Sequence, residues 1–183
     1  MPSKNSKGEV VFKDHPEFKP NLTPREIFEM GSFGGTYFRP IYSSVTQKSY
    51  KDIHLNYPKS WWKDIPENYL TNDWRKYDKS INTYKVKVGT TLEFWEEKGW
   101  ISEYNPYGWT DWYCSFYNGE RTPDDKRQID RWLKTAGPRS RFRVWLINQI
   151  KEKNTSYDDY NVSPSIRQTL QHWAYQLTRD DFH

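Results

Sequence analysis

Cysteine occurs once in this 183-residue chain, at Cys114. A single thiol excludes an internal disulfide, a cysteine-cluster zinc site and an iron–sulfur site. Cys114 falls inside an aromatic helical pattern and reads as a buried, inert thiol. Histidine is scarce as well. His15, His54, His172 and His183 are the only four, and no two have the spacing of a helical metal-binding pair. No metal and no cofactor is expected, and His172 reads as solvent-facing. No apolar run approaches the roughly 18–20 residues of a membrane span. The opening residues MPSKNSKGEV hold no hydrophobic signal core. The expectation is therefore an intracellular protein, cytoplasmic or nuclear, with no membrane partner. Motifs for nucleophilic catalysis are missing too: there is no GxSxG, and the lone cysteine has no obvious histidine partner.

Aliphatic residues are in short supply. Ile, Leu and Val total 25, against 33 Phe, Trp and Tyr. With a mean hydropathy of -1.10 the chain would pass for disordered. The aromatics argue otherwise, because each buried ring removes roughly 150–250 Å² from water. The core must be largely aromatic, and its phenol and indole tips need partners.

The strongest patterns run from Asn105 to Ile150. Trp109, Trp112, Tyr113, Phe116 and Tyr117 fall on one helical face. Gly119 stops that helix. Thr122 is a good N-cap for the next, with Pro123 in the first turn and Asp124 and Asp125 at its positive end. Ile129, Trp132, Leu133 and Ala136 repeat the spacing. Gly137 and Pro138 end that helix, and a third begins near Arg139 with Phe142, Trp145, Leu146 and Ile150 as its stripe. Elsewhere Thr23–Glu26 and Thr90–Glu93 read as capping boxes. Ser163–Pro164 opens a last helix with Ile166, Leu170, Trp173, Ala174 and Leu177 on one side. Short turns fit Pro58–Lys63 and Pro66–Leu70, and Lys85–Val88 alternates like a strand. The predicted fold is mainly α: a single compact domain of about five to seven short helices with long, ordered, aromatic-rich loops and a Gly-Pro helix-turn-helix-like unit. Residues 1–20 read as a flexible tail in which Val10, Val11 and Phe12 could dock. The helical domain covers 21–178, and 179–183 form a C-terminal tail.

Net charge is +4 and unevenly spread. Between Arg131 and Lys151 there are six basic residues and no acidic one. A positive helical face suits nucleic acid or an acidic protein. The favoured reading is a nucleic-acid-binding protein, DNA in particular. Arg139, Arg141 and Arg143 would lie at the start of a recognition-type helix. Lys126, Arg127, Arg131 and Lys134 would meet phosphates. The alternative is an enzyme or small-anion-binding protein. Its aromatic pocket would be closed by the loop Gly34–Arg39, with Gly34, Gly35, Thr36, Tyr37 and Arg39 around the anion. That loop lacks the lysine of a Walker loop and is not GxGxxG. Mg²⁺ held by the Asp124–Asp125, Asp158–Asp159 or Asp180–Asp181 pairs would make a nuclease, but Asp124 and Asp125 fit better as helix-start charges.

The words GSFGGTYFRPIYS, YLTNDW, VGTTLEFWEEKGWI, NPYGWTDWYCSFYNGER, DDKRQIDRW and AGPRSRFR span roughly residues 16–150. In them the chain resembles a family of small, aromatic-rich, uncharacterised proteins from eukaryotic microbes, fungi and large viruses. The resemblance implies no catalytic residue, cofactor or substrate.

Overall fold

A computed structural model describes every residue from Met1 to His183. Six α-helices carry the architecture: α1 (Pro24–Met30), α2 (Leu92–Glu97), α3 (Trp109–Tyr117), α4 (Asp125–Thr135), α5 (Arg141–Glu152) and α6 (Pro164–His172). Two small antiparallel hairpins accompany them, β1 (Ser3–Lys4) with β2 (Val10–Val11) and β3 (Ile41–Ser43) with β4 (Lys48–Tyr50). The predicted mainly α class holds.

The central element is α3, buried continuously from Trp109 to Phe116. A helix covered on all sides sits in the middle of a core. Phe18 packs into this centre, with its ring 5.2–6.3 Å from those of Trp109, Trp112, Tyr113, Phe116 and Trp132. Residues 1–20 are thus not the flexible tail expected. Val10, Phe12 and Phe18 are core residues. The last residues also fold: Arg179–Phe182 form a 3₁₀ turn closed by a Thr178–Asp181 capping box.

Aromatic side chains explain how such long loops stay ordered. A buried indole or phenol must place its polar tip on a partner. Trp62 donates to the His54 carbonyl at 2.7 Å. Trp109 donates to the Gln128 carbonyl, Trp112 to the Asp125 carboxylate and Trp132 to the Trp173 carbonyl. Tyr113 donates to the Leu22 carbonyl at 2.7 Å. Each bond pins a loop or helix end to the core, so rings do the work that aliphatic volume does elsewhere.

Helix starts follow local chemistry. Thr23 and Glu26 form the expected capping box, but α2 is capped by Thr91 rather than Thr90. The α4 start slips two residues, because Thr122 donates its amide to Asp125 while its hydroxyl accepts from Asp124. Helix α6 ends at His172, so Trp173, Ala174 and Leu177 lie beyond it; the Ala174 carbonyl accepts the Asn21 and Leu22 amides. No strand forms at Lys85–Val88. His172 is buried rather than solvent-facing. It stacks on Phe33 at 3.8 Å and accepts that residue's amide.

Two buried groups give the fold a testable pH response. Desolvation pushes the Asp111 carboxyl up to about 7 from an ordinary 3.8, against the opposing hydrogen bond from Tyr57. Desolvation pushes His172 down to about 3 from 6.5. The raised Asp111 stabilises fully below pH 3.8 and loses that contribution as pH rises toward 7. The lowered His172 does the reverse, stabilising above pH 6.5 and failing as pH falls toward 3. Each swing is on the order of 4 kcal/mol. Between pH 3.8 and 6.5 they oppose each other. Urea unfolding of the wild type should therefore vary less with pH than that of Asp111→Asn, whose stability should climb through this window. Parallel curves would show that Asp111 does not titrate there.

Candidate nucleic-acid interface

Helix α4 buries Gln128, Ile129 and Trp132 against the core. Helical periodicity then turns Lys126, Arg127, Asp130, Arg131 and Lys134 outward. With Pro123 these five line one solvent-open hollow of about 450 Å³. Of the sequence-predicted basic residues, the structure brings four together here.

Their charges are not equally available. The Lys126 ammonium lies 2.7 Å from Asp130, but its side chain is 86% exposed. Such a pair contributes little and gives way readily to a competing anion. Arg127 is held more firmly, with two hydrogen bonds to Asp124 at 2.6 and 3.1 Å. Arg131 donates to Gln128 at 2.9 Å and to the Trp100 carbonyl at 3.1 Å. Its guanidinium lies between the rings of Trp100 and Trp173, 5.7 and 5.3 Å from their centres. Desolvation and the neighbouring Arg127 lower the Arg131 pKa to about 10, so it stays cationic at neutral pH. Lys134 is exposed and makes no ion pair. Asp130 within the hollow and Asp124 behind Arg127 offset two of the four cations. The uninterrupted run expected from Arg131 to Lys151 is split, with only Arg131 and Lys134 of its six bases in the hollow; these two with Lys126 and Arg127, less Asp130 and Asp124, leave a net +2 there.

Arg143 is a correction. It was expected on a DNA-reading surface, and it is buried. Its guanidinium donates through Nε and Nη2 to the Ala136 carbonyl at the end of α4. It lies 3.6 Å over the Tyr175 ring and 3.5 Å from the Asp181 carboxylate. Burial lowers its pKa, partly offset by Tyr175 and Asp181. The residue holds the α4–α5 turn shut. Arg139 and Arg141 are exposed and unpaired, but they lie beyond the Gly137–Pro138 turn and outside the hollow. Trp145 departs from its expected apolar stripe and is 45% exposed, because Arg143, Leu146 and Ile150 take the buried side of α5.

The glycine loop is a second correction. Gly34, Gly35, Thr36 and Tyr37 are buried, and no amide at residues 34–36 is left for an anion. Gly34 donates to the Asn82 side chain, Gly35 to the Ser32 carbonyl and Thr36 to the Phe33 carbonyl. The Tyr37 hydroxyl is spent on the Tyr107 carbonyl and the Asp111 amide. Arg39 turns back onto the Thr36 carbonyl at 3.1 Å. Glycine is required because the chain passes its own backbone: a Cβ at Gly35 would stand 2.0 Å from the Asn68 carbonyl oxygen. Its φ of +82° adds strain for any other residue. Gly35→Ala should destabilise by roughly 2–5 kcal/mol, from left-handed strain plus overpacking. A thermal melt within a degree of wild type would contradict that packing.

The sequence matches no family model, and no curated protein or solved structure matches it. No helix is long and apolar enough to cross a membrane.

Trp100 was missed by sequence reasoning. It is 39% exposed and sits against the hollow through its carbonyl bonds to Arg127 and Arg131. Nothing in a chain with ten tryptophans separates an exposed one from the core set. The screening carboxylates Asp124 and Asp130 were visible in sequence, but their i+3 and i+4 pairing with the basic residues was not weighed.

Proposed function

We propose that the protein binds nucleic acid along the exposed face of α4, as a binding protein rather than an enzyme, in a cytoplasmic or nuclear setting. The observation carrying this reading is the convergence of Lys126, Arg127, Arg131 and Lys134 on one solvent-open hollow whose other lining residues are only Asp130 and Pro123. Lys126 and Lys134 are eight residues apart, or about 12 Å along the helix axis. That length covers three to four nucleotide steps at roughly 3.4 Å each. The phosphate backbone, not base edges, is the partner such a site favours. With Arg143 turned inward, the recognition-helix version of the reading loses its anchor. Phosphate contacts give affinity without sequence choice.

Fluorescence anisotropy with labelled oligonucleotides tests this directly. Affinity should fall on a log–log plot against salt with a slope of about -3 to -4, for about four phosphates neutralised at roughly 0.7 each on a single strand or 0.9 on a duplex. Absence of binding at low salt, or binding that ignores salt, would end the proposal.

A further inference from the structure

We infer that the occupant of the α4 hollow is a single strand, with one of its bases stacked on Trp100. This inference rests on the nucleic-acid reading above and narrows it. Most tryptophans of the chain are buried or tied into the core. Trp100 instead keeps 39% of its surface open at the edge of the hollow. It does not dangle: its carbonyl accepts from Arg127 at 3.4 Å and from Arg131 at 3.1 Å. Phe94 meets its ring edge-on at 5.7 Å, and the Arg131 guanidinium lies 5.7 Å from its centre. The carbonyl bonds fix the backbone at Trp100 while Phe94 and Arg131 flank its ring, so the indole has little freedom to lose when it takes a base.

Duplex bases present their edges, and their faces are already stacked on one another. A ring placed beside the backbone cations gains contact only if base faces are free. Unpaired strands offer that, through phosphates along a cationic groove and bases on an aromatic platform. Arg131, near both Trp100 and Trp173, adds a flat cation next to the platform. Trp145 is similarly exposed, but it belongs to α5 and touches none of the α4 cations, whereas Trp100, just outside the lining, is bonded through its carbonyl to Arg127 and Arg131.

Anisotropy titrations should use a single-stranded oligothymidylate and a duplex of equal length, at one salt concentration. The wild type should bind the single strand more tightly. Trp100→Ala should lose about 5- to 150-fold on the single strand and little on the duplex, the range expected for one base–aromatic stack. Its salt slope should be unchanged, because no phosphate contact is lost. Trp100→Phe should retain most of the affinity, and Trp145→Ala all of it. If Trp100→Ala does not fold, Trp100→Leu keeps the packing against Phe94 without a stacking face and should show the same loss. Equal or tighter duplex binding, or an unchanged Trp100→Ala affinity, would overturn the single-strand inference. The broader nucleic-acid reading would then still stand if Lys126→Glu with Lys134→Glu abolished binding. No binding of either oligonucleotide by the wild type would overturn both.

Discussion

Arg143→Ala is expected to cost about 3–5 kcal/mol of folding stability, as removal of one partner of a buried ion pair does. The side chain is buried, and three groups depend on it. The Ala136 carbonyl loses both of its guanidinium donors. Asp181 loses the cation at 3.5 Å, and Tyr175 loses the one stacked 3.6 Å above its ring. Ala136 is the C-cap of α4, so the loss is felt where α4 turns into α5. Lysine cannot bridge the same set, since it lacks the planar fork, and Arg143→Lys should recover only part of the loss. The check is a guanidinium chloride titration in which the midpoint falls while the slope stays constant. Asp181→Ala should be milder alone and nearly silent in the Arg143→Ala background. By contrast, Arg139→Ala and Arg141→Ala should change stability by less than about 0.5 kcal/mol, as exposed, unpaired positions do. A fall of under about 1 kcal/mol for Arg143→Ala would mean that the guanidinium lies in solvent.

Lys126→Glu combined with Lys134→Glu should nearly abolish oligonucleotide binding. The two replacements turn a net +2 hollow into one of -2 while touching no buried atom. Each lysine removed should cost about tenfold at low salt and lower the salt slope by about 1; reversal adds repulsion beyond that. Folding should be unaffected, because Lys134 is unpaired and the Lys126–Asp130 pair is solvent-exposed. Lys126→Glu also sets two carboxylates four residues apart, worth only a few tenths of a kcal/mol. Unchanged melting with lost binding is the expected pattern. Equal affinity in the double variant would move the interface elsewhere.

Much of this fold could be read from residue spacing. Thr23, Pro24 and Glu26 start α1 by purely local bonds, and the aromatic period of α3 survives because every one of its faces is buried. Local rules failed where a distant partner decides. His172 sits on a polar-looking stretch, yet Phe33, 139 residues away, takes it inward. Phe18 lies among lysines and prolines, yet six rings gather around it. Arg143 shows the same limit at the candidate site. Its two neighbours in the triplet are exposed, and the α4 terminus, Tyr175 and Asp181 explain why it is not. The four cations of α4 were legible because they share one helical face. Their partial neutralisation by Asp124 and Asp130 was a matter of geometry.

Amide chemical-shift mapping with a short oligothymidylate tests most directly whether the α4 hollow is where nucleic acid sits. The largest perturbations should fall between Pro123 and Lys134 and at Trp100, with the Trp100 indole N–H among them. Perturbations centred on Arg141, Trp145 and Asn148 of α5, or on the Gly34–Arg39 loop, would contradict it.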